Sequence, residues 1–189
     1  MQKAQGYSNT RTYDLVLTAI LIALVFVATV FLNIKLPITA NGGLIHLGTA
    51  MLFLASILFG PKKGAIAGAV GMAIFDLMAG WVLWAPFTLV TRGLQGYLVG
   101  KLAWSKDRQG NSFAVNLLAT LLSVPIMLVG YYLCEWILYG NAITPFASIP
   151  GNLVQNAVGI AISLPLSAIL KKMNIAGRSR IEKEGSVSG

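Results

Sequence analysis

The chain has 189 residues, 56% of them hydrophobic and only 11% charged, with a mean hydropathy of +0.74. Soluble domains carry roughly 25% charged residues, so this chain cannot cover a globular surface with polar groups. The formal net charge of +8 does not read as a nucleic-acid footprint, because the lysines and arginines lie between hydrophobic segments instead of forming one basic stripe. A single cysteine, Cys134, permits no disulfide or cysteine-based metal cluster within one chain, and the lone histidine, His46, leaves no histidine cluster.

Met1 to Tyr13 is polar and basic, and Leu15 to Leu32 is a first apolar span, too long for a cleavable signal peptide and followed by further spans. Residues 33 to 46, NIKLPITANGGLIH, hold Pro37 and two glycines and are expected to form a loop. Leu47 to Phe59 is a second span that reaches the ~20 residues needed to cross a bilayer only by borrowing from that loop. After Gly60-Pro61-Lys62-Lys63 come a third span to Gly80 and a fourth from Pro86 to Trp104, joined by a tight Trp/Pro turn. Small residues recur along this hairpin at helical spacing: Gly64 with Gly68, Ala65 with Ala69 and Ala73, Gly96 with Gly100. In lipid such rows let helix backbones approach closely.

The polar connection SKDRQGNS leads to a fifth span, Phe113 to Tyr139. A second loop, GNAITPFASIPG, precedes a sixth, Asn152 to Leu170, and the charged remainder is expected to be disordered beyond its first turn. The expected fold is therefore an all-α integral membrane protein: one six-helix domain over residues 1–189, with tails at 1–13 and 173–189. With both termini cytoplasmic, the inner segments hold Lys3, Arg11, Lys62, Lys63, Lys101, Lys106, Arg108 and the basic C-terminal tail, while the outer loops hold Lys35 alone. Short-loop Lys/Arg bias of this kind sets topology.

That orientation gathers the intramembrane polar residues in the outer half. Asp76 lies ~6 Å below the outer end of the third span and Arg92 roughly 10 Å down the fourth, at 1.5 Å per residue. A charge at such depth normally faces protein or a water-filled cavity. Glu135 lies near the outer end of the fifth span with Tyr131 on its face, and Asn152, Gln155 and Asn156 open the sixth. Asp76 and Arg92 read equally as a buried ion pair or as ligand contacts. Trp81, Trp136 and Tyr139 fit an interfacial aromatic belt, whereas Trp84 beside Pro86 is placed to stack on a ligand. Asn152 suits a helix cap, and Asn156 lies too deep for one. The candidate substrate-binding set is Trp84, Arg92, Gln95, Tyr131, Glu135, Asn152, Asn156, Asp76 and His46, with no catalytic residue, metal or cofactor expected.

The run FGPKKGAIAGAVGMAIFDLMAGWVLWAPFTLVTRGLQGYLVGKL, with its Asp before the Trp/Pro turn and its R-G-L-x-G helix after it, resembles the substrate-binding S components of energy-coupling factor (ECF) vitamin transporters. The resemblance is to the branch assigned to hydroxymethylpyrimidine or pyridoxine-type compounds. Ala19-x-x-x-Ala23 in the first span is similar to the small-residue motif on which S components dock to the transmembrane T component. The resemblance implies a bacterial cytoplasmic-membrane protein that binds a vitamin near the outer surface, under the first loop as a lid. It also implies a T component and two ATP-binding subunits as partners, with the S component toppling in the membrane to deliver its ligand. The chain has no P-loop of its own, so ATP hydrolysis is expected in those separate subunits. A proton-coupled secondary carrier using Asp76 and Glu135 is the alternative; the chain is short for one and lacks matching inverted repeats.

Overall fold

Close approach of small residues sets the centre of the molecule. In the computed structural model, which describes residues 2–31, 33–35 and 44–187, α3 (Pro61–Met78) and α4 (Ala85–Ala103) run antiparallel. A Cβ on Gly96 would fall 2.6 Å from the Gly64 carbonyl oxygen, and one on Gly100 would fall 2.5 Å from Pro61. Only glycine fits there, so the two backbones touch as the sequence pattern predicts.

The other helices are laid around this hairpin. α2 (Gly48–Phe59) crosses α3 where Gly64 meets Ser56 and Gly68 meets Leu52. α1 (Gln2–Phe31) runs parallel to α3, with Gly71 against Ile22 and Val25 and a 2.8 Å ion pair between Asp14 and Lys63 at the basic end. α5 (Phe113–Tyr139) lies antiparallel to α4, its Gly130 seated on Thr91, and α6 (Ile149–Val187) lies beside α2, with Gly159 on Thr49. Val25, Leu52, Phe53, Ile57, Met72 and Val99 fill the apolar core, while Leu15, Phe31, Leu77, Leu83 and Ile137 stand exposed. A surface this rich in large apolar side chains suits lipid, not water. Stretches of α1, α5 and α6 are long and apolar enough to cross a membrane.

Among the described residues the α-helices follow the expected order, and α5 has the expected bounds. Gly140, in the left-handed region at φ 64°, ends it. Two expectations need correction. The segment 33–46 is not wholly loop: β1 (Asn33–Lys35) and β2 (Leu44–His46) pair antiparallel, Asn33 opposite His46. The lid itself falls on residues 36–43, outside the described residues, as does the Lys35 side chain. The C-terminal segment is not coil after one turn: α6 continues to Val187, and α1 likewise begins at Gln2. Neither tail contains proline; the first holds Gln2, Lys3, Ala4 and Gln5, and the second Ala176, Arg178, Arg180, Glu182, Lys183 and Glu184. An established helix propagates cheaply through such residues.

Candidate ligand-binding site

The site grows from one buried row on α4. Thr88, Thr91, Arg92 and Gln95 recur at three- and four-residue spacing and are all buried, Arg92 at 1% exposure. The row faces the protein because α3, α5 and α2 pack on that side. A buried guanidinium must be richly bonded to be tolerated, and Arg92 is. The two N–H groups of its Nη1 are shared among Gln95 Oε1 at 2.9 Å, the Met127 sulfur at 3.0 Å and Thr49 Oγ1 at 3.3 Å. Its Nε donates to Tyr131 Oη at 3.2 Å, and its Cζ lies 5.2 Å from the Tyr131 ring centroid.

From Gln95 the network crosses to α6. Gln95 Nε2 donates to Asn156 Oδ1 at 2.9 Å and reaches Ser123 at 3.5 Å. Asn156 Nδ2 donates to the Met127 sulfur at 2.8 Å and to the Asn152 carbonyl at 2.8 Å. One residue earlier on α6, Gln155 Nε2 contacts Thr49 Oγ1 at 2.8 Å and His46 Nε2 at 3.0 Å, tying the base of β2 to α6 and α2. Burial first, and the Arg92 charge second, push the His46 imidazole down from 6.5 to about 3. Neutral at ordinary pH, its Nε2 can accept the Gln155 proton.

Asp76 and Arg92 are linked through intermediaries in place of the direct pairing envisaged as one reading. Tyr131 Oη, which accepts from Arg92, lies 3.0 Å from Thr88 Oγ1, and Thr88 in turn addresses the Asp76 carboxyl. Arginine can only donate, so Tyr131 is free to pass its own proton to Thr88 and Thr88 to Asp76. Asp76 Oδ2 is shielded from solvent and has no hydrogen-bond partner among the described residues. Glu135, 7% exposed, takes the Ser148 hydroxyl at 2.8 and 2.6 Å on its two oxygens. It thereby pins the short 3-10 turn Thr144–Ser148 against α5. Trp84 stacks edge-on with Trp81 at 5.2 Å and with Tyr139 at 6.1 Å, a cluster at the ribbon end.

Arg92, Gln95, Tyr131, Asn152, Asn156 and His46 thus belong to one bonded constellation, with Asp76 at the end of its hydroxyl relay. Glu135 and Trp84 make their described contacts elsewhere at the same end. Ala19 and Ala23 lie on the exposed face of α1. Thr49, Thr88, Ser123 and Met127 were not singled out from sequence. Thr88 was within reach, lying four residues before Arg92 on the same face, and so was Ser123, which ends the buried row Asn116, Thr120 and Ser123 on α5; Thr49 and Met127 have no such row to mark them. Among the described residues no cluster of His, Cys, Asp and Glu could hold a metal ion. A separate groove of about 800 Å³ between α4 and α5, lined by Phe87, Val90, Leu94, Ile126 and Val129, is almost wholly apolar and shares only Thr91 with the polar row.

Residues 9–172 match the family described as ECF-type riboflavin transporter, S component. The thiamine precursor transporter HmpT of Lactococcus lactis subsp. cremoris is 30% identical over 169 residues, 88% of this chain and 93% of that protein. An uncharacterized protein of Pyrococcus woesei is 37% identical over 141 residues, 74% of this chain and 90% of that one. Among solved structures, the S component for biotin from an ECF-type ABC transporter superposes with a TM-score of 0.66 at 17% identity, over 87% of this chain and 93% of that one. At that identity the likeness speaks for the fold alone.

Proposed function

The chain belongs to the S components of ECF-type transporters, membrane-embedded vitamin-binding subunits, and we propose that it captures hydroxymethylpyrimidine or a pyridoxine vitamer from outside the cell. As a transport-binding protein and not an enzyme, it works in this reading with a T component and two ATP-binding subunits that drive import. In this reading six spans with cytoplasmic termini leave the ribbon outside, and the gathering of the Lys- and Arg-rich segments at the opposite end supports it.

The observation that carries the substrate reading is the Arg92–Gln95–Asn156 network, buried yet built from strong donors and acceptors, at the ribbon end of an otherwise apolar bundle. Intramembrane polar residues are costly and mark ligand or ion pathways by default. The amide and guanidinium groups suit the edge of a flat heterocycle, the ring contact of Trp84 suits its face, and Asp76, Tyr131, Glu135, Asn152 and His46 border the same end. The name of the lactococcal relative, a thiamine precursor transporter, supports the pyrimidine. A single arginine in the network disfavours phosphorylated forms.

The test is quenching of Trp fluorescence in detergent across a vitamin panel. Hydroxymethylpyrimidine or a pyridoxine vitamer should bind tightly and their phosphates weakly, with Asn156→Ala and Glu135→Ala each weakening binding about ten-fold or more. Tight binding of riboflavin, folate or biotin, with neither small heterocycle bound, would overturn the substrate reading while leaving the family in place.

A further inference from the structure

Two of the strongest donors in the site are spent on the weakest acceptor in it. Arg92 Nη1 and Asn156 Nδ2 converge on the Met127 sulfur from α4 and α6, at 3.0 and 2.8 Å. All three side chains are essentially buried, at 1%, 1% and 0% exposure. A thioether accepts hydrogen bonds poorly, and charge-assisted donors of this kind bond far more strongly to nitrogen or oxygen lone pairs. Methionine is also the apolar side chain best able to move aside, being unbranched and freely rotating. Met127 lies one turn from Tyr131 on α5, so its sulfur stands between the guanidinium and the amide pair, at the hub of the polar network.

We propose that the Met127 sulfur occupies the position taken by the acceptor atom of the ligand. In this arrangement a ring nitrogen or carbonyl oxygen with an in-plane lone pair displaces the thioether and receives both N–H groups. The Met127 side chain swings away from the two donors as the ligand enters. Met127 is then a specificity-determining residue: while the site is closed it keeps both donors bonded, and it yields only to a ligand that bonds them better. This deepens the function proposed above and rests on it, because it assigns the substrate to heterocycles that present an unprotonated acceptor at the ring edge.

The experiment measures equilibrium binding of two probes to the full chain and to Met127→Leu. The probes are 4-amino-5-hydroxymethyl-2-methylpyrimidine and its benzene counterpart, in which both ring nitrogens are replaced by C–H. Leucine is close to methionine in size and is normally tolerated, but it offers no acceptor, so the two donors lose a partner before ligand arrives. The unsubstituted protein should prefer the pyrimidine by about ten-fold or more. Met127→Leu should tighten pyrimidine binding about three- to ten-fold and leave the benzene probe within about two-fold.

Equal weakening of both probes by Met127→Leu, or no preference between them in the unsubstituted protein, would overturn this inference alone. Failure of the unsubstituted protein to bind the pyrimidine or a pyridoxine vitamer would overturn the substrate reading and this inference with it. Should Met127→Leu not fold, the unsubstituted protein labelled at its methionine methyl groups supplies the answer by NMR. The chain has six methionines, and Met127→Ile or Met127→Gln identifies the resonance. Saturation with the pyrimidine should shift the Met127 methyl signal and the benzene probe should not; an unmoved signal at pyrimidine saturation would contradict the proposal.

Discussion

At residue scale the molecule spends its few buried polar groups on one another. Tyr131 is the clearest case, since its hydroxyl receives the Arg92 Nε proton and touches Thr88 while its ring lies under the guanidinium. Tyr131→Phe keeps the ring and removes the bond, so it should cost about 1.5–3 kcal/mol, the worth of a hydrogen bond to a charged group. Thermal unfolding in detergent measures this, and an unchanged Tm would place the Arg92 proton elsewhere. His46 gives a pH signature. Its pKa of about 3 in the folded chain lies below the ordinary 6.5, so the unfolded chain binds the extra proton between those values. Its contribution to stability is therefore complete above pH 6.5 and is lost as pH falls toward 3, with a slope of at most about 1.4 kcal/mol per pH unit. His46→Gln should be less acid-sensitive over that window; an identical pH profile would contradict the assignment. Arg92, Gln95, Asn156 and Asp76 were legible in the sequence because a strongly polar residue stands out in an apolar helix. Thr49 and Met127 were not, because their weak polarity acquires meaning only from the partner brought up by another helix.

At the scale of elements, glycine and proline punctuation made most of the fold readable. The small-residue rows on α3 and α4 foretold a backbone contact, and Gly96 against Gly64 supplies it. No proline stops α6 after its apolar stretch, and in NIKLPITANGGLIH the Pro37 and the two glycines mark a turn without marking its ends as strands that pair only with each other. α1 has a different lesson. Leu21, Val25 and Thr29 are buried toward α2 and α3, while Ala19 and Ala23 share the outward face with Leu15, Ile20 and Leu24. A face of small residues left open on a membrane helix admits another helix at short range. Ala19→Trp should therefore abolish uptake by the assembled transporter and leave ligand affinity within about three-fold, since the side chain touches nothing in the site. Lost ligand binding by the isolated variant, or normal assembly with the T component, would refute that division of labour.

For the whole molecule, the contrast between an apolar exterior and a polar interior at one end is what joins fold to function. Leu15, Leu77, Leu83 and Ile137 face outward and Arg92, Gln95, Gln155 and Asn156 face inward, the reverse of what water would select and what a lipid-embedded binding subunit needs. Native mass spectrometry of the purified chain tests this account most directly, because a ligand held by a buried polar network should survive isolation. The account predicts a non-covalent adduct with the mass of hydroxymethylpyrimidine or a pyridoxine vitamer, present in the unsubstituted chain and absent from Asn156→Ala. An adduct with the mass of riboflavin, folate or biotin, or no adduct after saturation with both small heterocycles, would contradict it.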